Sequence, residues 1–190
     1  MQELKDRIVK EGKVLPGNII KVDGFLNHRV DTELLEHIAD EFGRRFDMSR
    51  VTVILTAEAS GIALATVVAH RFGKPMIFAK KAKSDNIEGG LYQSDIFSYT
   101  YKKKVTLLVS KEWLHESDRV LIIDDFMANG EAMRGLCDIV TAAGAELVGI
   151  GCAVEKGFQG GGDRLRAAGY DLQSLAIIES AQPGNIVFRD

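Results

Sequence analysis

The feature that most constrains the fold is a series of short apolar runs separated by stretches with helical spacing. The runs predict strands and lie at 51–56, 75–80, 119–124, 145–156 and 172–178. Apolar residues at helical spacing predict helices at 31–46, 60–72, about 131–143 and 160–169. Buried strands that alternate with helices are typical of a parallel sheet covered on both faces. The sequence therefore predicts an α/β fold with a central, mainly parallel sheet flanked by helices.

The segment 80–110 departs from this alternation. A polar, lysine-containing interval at 80–95 is followed by strand-like runs at 96–101 and 105–110 with no helix between them. This pattern favours an antiparallel excursion from the main sheet. At the other end of the chain, residues 3–11 resemble a short amphipathic helix, and a brief strand is expected at 19–22.

Composition limits the classes of protein that fit. A chain of 190 residues with 46% hydrophobic residues suits one domain with its own core. The formal net charge of −3 argues against a general nucleic-acid binder. The two cysteines, Cys137 and Cys152, lie in apolar stretches and are expected to be buried thiols. A charged N-terminus and the lack of an apolar run near the ~20 residues that span a bilayer predict a cytoplasmic protein without membrane contact.

The segment RVLIIDDFMANGEAM (119–133) combines a buried strand, two adjacent acids and a small-residue loop that opens a helix. Neighbouring carboxylates repel, so Asp124 and Asp125 need donors, a cation or water. The two hydroxyls of a ribose are suitable donors, and the amides at a helix N-terminus suit a phosphate. The segment therefore fits a ribose 5-phosphate, although an acid pair that only caps a solvated helix remains the alternative.

The stretch VLIIDDFMANGEA (120–132), hereafter the signature segment, resembles the phosphoribosyl-diphosphate signature of the type I phosphoribosyltransferases. Supporting stretches are IKVDGFLNHRVD (20–31), ASGIALA (59–65), IFAKKAKS (77–84) and VEKGFQGG (154–161), which are most similar to bacterial members that act on xanthine. The resemblance implies a single domain over 1–190 with the type I fold. It also implies a hood over the base site from about 1–30 and 154–190, a flexible loop at about 81–95, and a homodimer.

The resemblance assigns the phosphoribosyl diphosphate site residue by residue. Asp124 and Asp125 would bind the ribose hydroxyls during catalysis. The residues expected to hold the 5-phosphate are Ala128, Asn129, Gly130, Glu131 and Ala132. Those expected to meet the diphosphate through backbone amides are Ala59, Ser60 and Gly61, although a plain strand-to-helix turn is the alternative. Mg²⁺ would be bound through the diphosphate and not directly by protein ligands.

Two positions of this expected site need separate arguments, Glu131 and the lysine that would contact the diphosphate. Many family members have Gly or Gln where Glu131 stands, so its side chain is expected to point away from the phosphate and contribute only its N–H. A lysine of the polar interval would neutralise the departing diphosphate, and Lys80, Lys81 and Lys83 are candidates. Of these, Lys81 is assigned the catalytic role.

The base site implied by the resemblance comprises Ile20, Asn27 and Lys156. Ile20 would offer backbone or apolar contact, Asn27 both donors and an acceptor, and Lys156 only donors. Donors suit the two oxo groups of xanthine and disfavour adenine, whereas hypoxanthine and guanine remain open alternatives. The family fold also serves as a sensor in a purine-responsive repressor, which would need a DNA-binding element that Met1 to Gly17 is too short to form.

Overall fold

A computed structural model of the chain describes residues 1–81, 90–98 and 103–189. The helices of this part are α1 (Gln2–Glu11), α2 (Thr32–Arg45), α3 (Gly61–Arg71), α4 (Glu131–Ala142) and α5 (Gly161–Ala167), with a 3₁₀ turn at Gly157–Gln159. Its strands are β1 (Lys13–Leu15), β2 (Ile19–Lys21), β3 (Val53–Ala57), β4 (Met76–Ala79), β5 (Leu91–Ser98), β6 (Lys103–Ser110), β7 (Arg119–Met127), β8 (Glu146–Lys156), β9 (Leu172–Gln182) and β10 (Asn185–Phe188). The predicted order of helices and strands is confirmed, and the structure contains two strands that were not predicted, β1 and β10.

The main sheet has six strands in the order β10-β9-β8-β7-β3-β4. The pairs from β9 to β4 are parallel, and only the edge strand β10 is antiparallel to its neighbour. The carboxyl ends of the parallel strands therefore meet at one edge, where ligands bind in open α/β sheets. The predicted α/β class with a mainly parallel sheet is confirmed.

Apolar side chains from the sheet divide between two cores. Ile54 of β3 packs in a cluster with α2 and α3, whereas its neighbours Val53 and Leu55 pack in a second cluster with α4. This division follows from the alternation of side chains along a strand. The sheet is therefore covered on both faces, which explains why its strands read as continuous apolar runs.

The N-terminal segment packs against the same core as α2 and α3. Leu4, Ile8 and Phe25 are buried in that cluster, and β1 pairs with β2 as an antiparallel ribbon. At the start of α2 the Asp31 side chain accepts a hydrogen bond from the Leu34 N–H at 3.2 Å, so Asp31 is the N-cap. The segment is thereby held against the body of the molecule close to the carboxyl ends of the strands.

Strands β5 and β6 form a separate antiparallel pair, which confirms the predicted excursion. Residues 91–95, predicted as part of the flexible loop, instead belong to β5 because they pair in register with residues 106–110 of β6. Of the remaining residues of the predicted loop, 82–89 lie outside the described residues. The strand predicted at 96–101 is also wrong at its start, since β5 begins at Leu91 and not at residue 96.

Both cysteines are buried and neither forms a disulfide, as predicted. Burial raises the pKa of the Cys137 thiol to about 12 and also raises the pKa of Cys152. Both side chains therefore stay neutral thiols and act as small apolar residues in the core. Among the helices of the described ranges, none is long and apolar enough to cross a lipid bilayer.

Candidate active site

The two adjacent aspartates lie inside β7, whereas the sequence predicted them at the tip of this strand. The predicted strand ended at residue 124, but parallel pairing with β8 continues to Met127 opposite Glu155, which extends the strand through both acids. Asp124 is 6% exposed and Asp125 is 1% exposed. The Asp125 N–H donates to Asp124 Oδ1 at 3.1 Å, so the chain itself satisfies part of the first carboxylate.

Asp124 lies against the first turn of α3 in very little space. A Cβ placed on Gly61 would lie 2.3 Å from Asp124 Oδ1 and 2.1 Å from Thr56 Oγ1. Burial and the neighbouring Asp125 raise the pKa of Asp124 well above its usual range. The Thr56 hydroxyl is fully buried and has no hydrogen-bond partner among the described residues. This position is therefore polar and crowded, and only glycine fits at residue 61.

The loop after β7 turns into α4 through a left-handed glycine. Gly130 has φ of 78° at the N-cap of α4, a conformation that favours glycine. A Cβ placed on Gly130 would lie 3.4 Å from the backbone of Gly161, so the two loops approach each other closely. Arg164 donates a hydrogen bond to the Asn129 carbonyl at 3.0 Å. The first turn of α4 lines the same cavity as Asp124, and the N–H groups at a helix start have no partner within the helix, which favours an anion there.

Glu131 begins α4 with its carboxylate directed at other protein groups. It accepts from the Phe97 N–H of β5 at 3.3 Å and forms an ion pair with Arg134 at 3.3 Å. Arg134 also forms an ion pair with Asp138 at 2.7 Å. Because its single positive charge is shared between two acids, it offsets the negative charge of Glu131 only in part. Glu131 also lines the cavity described below, so the expectation that its side chain points away from a bound phosphate stays a prediction.

The turn between β3 and α3 brings a second set of backbone groups to the same edge. Ser60 occupies the N-cap of α3 but its hydroxyl makes no capping hydrogen bond. Glu58, which the sequence interpretation did not select, accepts from the Lys81 N–H at 2.6 Å and so holds the start of the polar interval. The Lys81 charge lowers the pKa of Asp124, against the larger effects that raise it.

These elements enclose a cavity of about 260 Å³. The predicted residues that line it are Ser60, Lys81, Asp124, Ala128, Asn129, Gly130, Glu131 and Ala132. The predicted residues that do not line it are Ile20, Asn27, Ala59, Gly61, Lys80, Asp125 and Lys156, and the candidate Lys83 lies outside the described residues. Phe126 and Met127, which line it too, were missed although they stand inside the signature segment. Two apolar residues beside two acids gave no chemical reason to select them.

The three predicted base residues have different neighbours, and Asn27 is the one that contacts the acid pair. Asn27 donates from Nδ2 to Asp125 Oδ2 at 2.6 Å. Lys156 Nζ donates to the Asn18 carbonyl at 3.0 Å and lies 5.3 Å from the centre of the Phe126 ring. Burial lowers the pKa of Lys156. Ile20 is buried in the core, so its side chain is not available to a ligand and only its backbone remains.

The edge can therefore hold a polyhydroxylated, anionic ligand. Buried carboxylates offer acceptors for hydroxyl groups, helix amides offer donors for a phosphate, and Lys81 contributes a cation. In the described part of the chain, no three His, Cys, Asp or Glu side chains converge on one point as they would around a protein-bound metal ion. The carboxylates of the pair remain oxygen donors of the kind that Mg²⁺ prefers.

Comparison with known proteins agrees with this geometry. Residues 29–181 match the family model described as phosphoribosyl transferase domain. The chain belongs to the phosphoribosyltransferase family. It is 53% identical to a xanthine phosphoribosyltransferase of Bifidobacterium adolescentis over 100% of both chains. It is 54% identical to a protein of the same name from Lachnoclostridium phytofermentans, over 100% of this chain and 98% of that one.

Solved phosphoribosyltransferase structures confirm the fold. The adenine phosphoribosyltransferase of Giardia lamblia, complexed with 9-deazaadenine, superimposes with a TM-score of 0.76 at 19% identity. The match covers 94% of this chain and 98% of that chain. At this identity the likeness establishes the type I fold, and it carries no information about the base that this phosphoribosyltransferase accepts.

Proposed function

We propose that this phosphoribosyltransferase joins xanthine to the ribose of phosphoribosyl diphosphate, giving xanthosine 5'-monophosphate and diphosphate in purine salvage. The observation that carries the proposal is the buried Asp124–Asp125 pair beside the glycine-capped start of α4. Full-length relatives that share about half of their residues with this chain and are named xanthine phosphoribosyltransferases support the choice of base.

The ribose phosphate part of the donor is proposed to bind along the signature segment. Asp124 and Asp125 would accept hydrogen bonds from the two ribose hydroxyls. The amides proposed to hold the 5-phosphate belong to Ala128, Asn129, Gly130, Glu131 and Ala132. The transition state of such a transfer resembles an oxocarbenium ion, so catalysis would consist mainly of positioning and electrostatic stabilisation.

The departing diphosphate is proposed to lie against the β3–α3 turn. The backbone amides of Ala59, Ser60 and Gly61 would contact it, and Lys81, whose backbone is hydrogen-bonded to Glu58 of the same turn, would contribute positive charge. Mg²⁺ bound through the diphosphate would offset the remaining negative charge. The 2.6 Å hydrogen bond from the Lys81 N–H to Glu58 supports this role for Lys81, because it anchors the backbone of that residue at the cavity.

Ile20, Asn27 and Lys156 are proposed to form the base site. The amide of Asn27 and the ammonium of Lys156 would face oxo groups of xanthine, and the Ile20 backbone would complete the contact. The ammonium meets the amino group of adenine unfavourably, since both groups are donors. A site built for an oxo group leaves buried donors unpaired when the oxo group is missing, which discriminates strongly between bases.

The arrangement of the whole chain is proposed on the family resemblance. Residues 1–190 would form one domain, with segments 1–30 and 154–190 as a hood over the base. The segment from Lys81 to the start of β5 would close over the cavity and exclude water. The protein is proposed to act as a cytoplasmic homodimer.

The proposal is tested by measuring turnover with phosphoribosyl diphosphate and Mg²⁺, with xanthine, guanine, hypoxanthine and adenine offered separately. We expect xanthine to be preferred, and the preference to be lost in Lys156→Met. A preference for guanine or hypoxanthine would contradict the proposed base specificity while leaving the reaction intact. Binding of the donor without turnover of any base would instead favour a sensor of phosphoribosyl diphosphate.

A further inference from the structure

We propose that Asn27 is a positioning residue for Asp125 in addition to its proposed contact with the base. One amide side chain would then connect the base site to the ribose site, so that Asn27 contributes to donor binding even when no base is present. This inference rests on the proposed function, because it takes Asp125 as a ligand of the ribose.

The contact that suggests this role joins two segments far apart in sequence. Asn27 Nδ2 donates to Asp125 Oδ2 at 2.6 Å across a separation of 98 residues. Asp125 is 1% exposed, so its carboxylate has little access to water. The Asp125 side chain also hydrogen-bonds to the neighbouring Asp124 side chain, whereas Asn27 is a donor that comes from a distant segment of the chain. A buried carboxylate needs donors, and Asn27 supplies one from the protein itself.

The chemistry of an amide suits a shared role. A carboxamide has two N–H donors and a carbonyl acceptor, and the contact with Asp125 uses one N–H. The second N–H and the carbonyl oxygen stay available to a purine. Because the amide is neutral, it orients the carboxylate without cancelling its charge, and the other Asp125 oxygen can accept a ribose hydroxyl.

The backbone that carries Asn27 is fixed on both sides. Leu26, its neighbour, is buried, and its N–H donates to the Val22 carbonyl at 3.0 Å. On the other side the Arg29 N–H donates to the Asp23 carbonyl at 2.9 Å. The Asn27 side chain therefore projects from a closed turn and can hold Asp125 in one orientation at small entropic cost.

The two roles predict different binding behaviour. A residue that only contacts the base should change the affinity for xanthine and leave the affinity for phosphoribosyl diphosphate unchanged. A residue that also holds Asp125 should change donor affinity without any base present. A hydrogen bond to a charged group contributes enough to predict a loss of roughly tenfold in donor affinity when it is removed.

The experiment is calorimetric titration of phosphoribosyl diphosphate with Mg²⁺ into wild type, Asn27→Leu, Asn27→Ala and Lys156→Met, all without base. We expect both Asn27 variants to bind the donor about tenfold more weakly, and Lys156→Met to bind it as wild type does. Lys156 is the matched control because it belongs to the same proposed base site and does not contact Asp125. Circular dichroism melts would confirm that each variant is folded, and Asn27, which is partly exposed, tolerates either replacement.

Unchanged donor affinity in the Asn27 variants, together with a raised KM for xanthine, would overturn the inference. Tighter donor binding would overturn it too, because Asn27 would then compete with the ribose for Asp125. Wild-type protein that binds the donor but turns over no xanthine would refute the proposed function alone. The comparison of donor affinities would still decide the role of Asn27 in that case.

Discussion

Gly61 is the residue whose replacement should most directly damage the site without changing any proposed ligand side chain. In Gly61→Ala the new Cβ would lie 2.1 Å from Thr56 Oγ1 and 2.3 Å from Asp124 Oδ1. Each oxygen would have to retreat by roughly 1 Å to reach an ordinary van der Waals distance. Neither has room to do so easily, because Thr56 is fully buried and Asp124 is 6% exposed.

Overpacking of this kind costs about 1–3 kcal/mol of folding free energy. The displaced Asp124 carboxylate would also leave its position for the ribose, and a lost charge-assisted hydrogen bond predicts donor binding weakened by about tenfold or more. Urea denaturation measures the first effect, and titration with phosphoribosyl diphosphate and Mg²⁺ measures the second. Both effects are expected in the same variant.

Gly24→Ala is the matched control for stability, since a Cβ on Gly24 meets no atom within 4 Å and the backbone is not in the left-handed region. We expect its free energy of unfolding to stay within about 0.5 kcal/mol of wild type. If Gly61→Ala were as stable as Gly24→Ala and bound the donor as wild type does, the crowding of Asp124 against α3 would be refuted.

Two further predictions concern buried charge. The pKa of Asp124 is raised in the folded state. At a pH between the ordinary pKa and this raised pKa, the folded state therefore binds more protons than the unfolded state, and the free energy of unfolding decreases as the pH rises. Asp124→Asn should therefore melt at a higher temperature than wild type at neutral pH, and the difference should vanish below pH ~3.9. Its turnover should fall at least about tenfold. Equal melting temperatures at neutral pH would contradict this reasoning. Arg166→Ala should cost about 3–5 kcal/mol in urea denaturation because it leaves the fully buried Glu155 without its ion pair. Arg50→Ala, which breaks the exposed pair with Glu146, should cost about 0–1 kcal/mol, and similar losses in the two variants would refute the distinction.

Local sequence patterns were sufficient to predict the sheet and the core helices. The apolar spacing of α2 identified its buried face, and the continuous apolar runs identified strands covered on both sides. Pairing between distant segments decided the remaining boundaries. The strand β7 extends past Asp124 because β8 lies beside it, and β5 begins at Leu91 because β6 pairs with it. No local pattern contains that information.

The candidate site was predictable where the signature segment carries it and less so elsewhere. Asp124 and the loop that follows it could be selected because acids and small residues after an apolar run suggest a chemical purpose. Phe126 and Glu58 could not, since an aromatic and an acid have many ordinary roles. The hydrogen bond between Asn27 and Asp125 depends on how the N-terminal segment folds back over β7, and only the tertiary structure shows it.

Two neighbouring acids in a buried strand can now be explained by the groups around them. Without ligand the pair is unfavourable, because burial and mutual repulsion raise the pKa of Asp124. Among the described residues, Asn27 and the Asp125 N–H donate hydrogen bonds to the two carboxylates. A solvated helix cap would avoid this cost by staying exposed, whereas these side chains are 6% and 1% exposed. A ligand that brings hydroxyl donors would favour the ionised form of Asp124 and so recover part of the energy lost on folding. The unfavourable burial of Asp124 therefore favours binding of a hydroxylated ligand. An acid on the surface is already hydrated by water and would gain less from such a ligand.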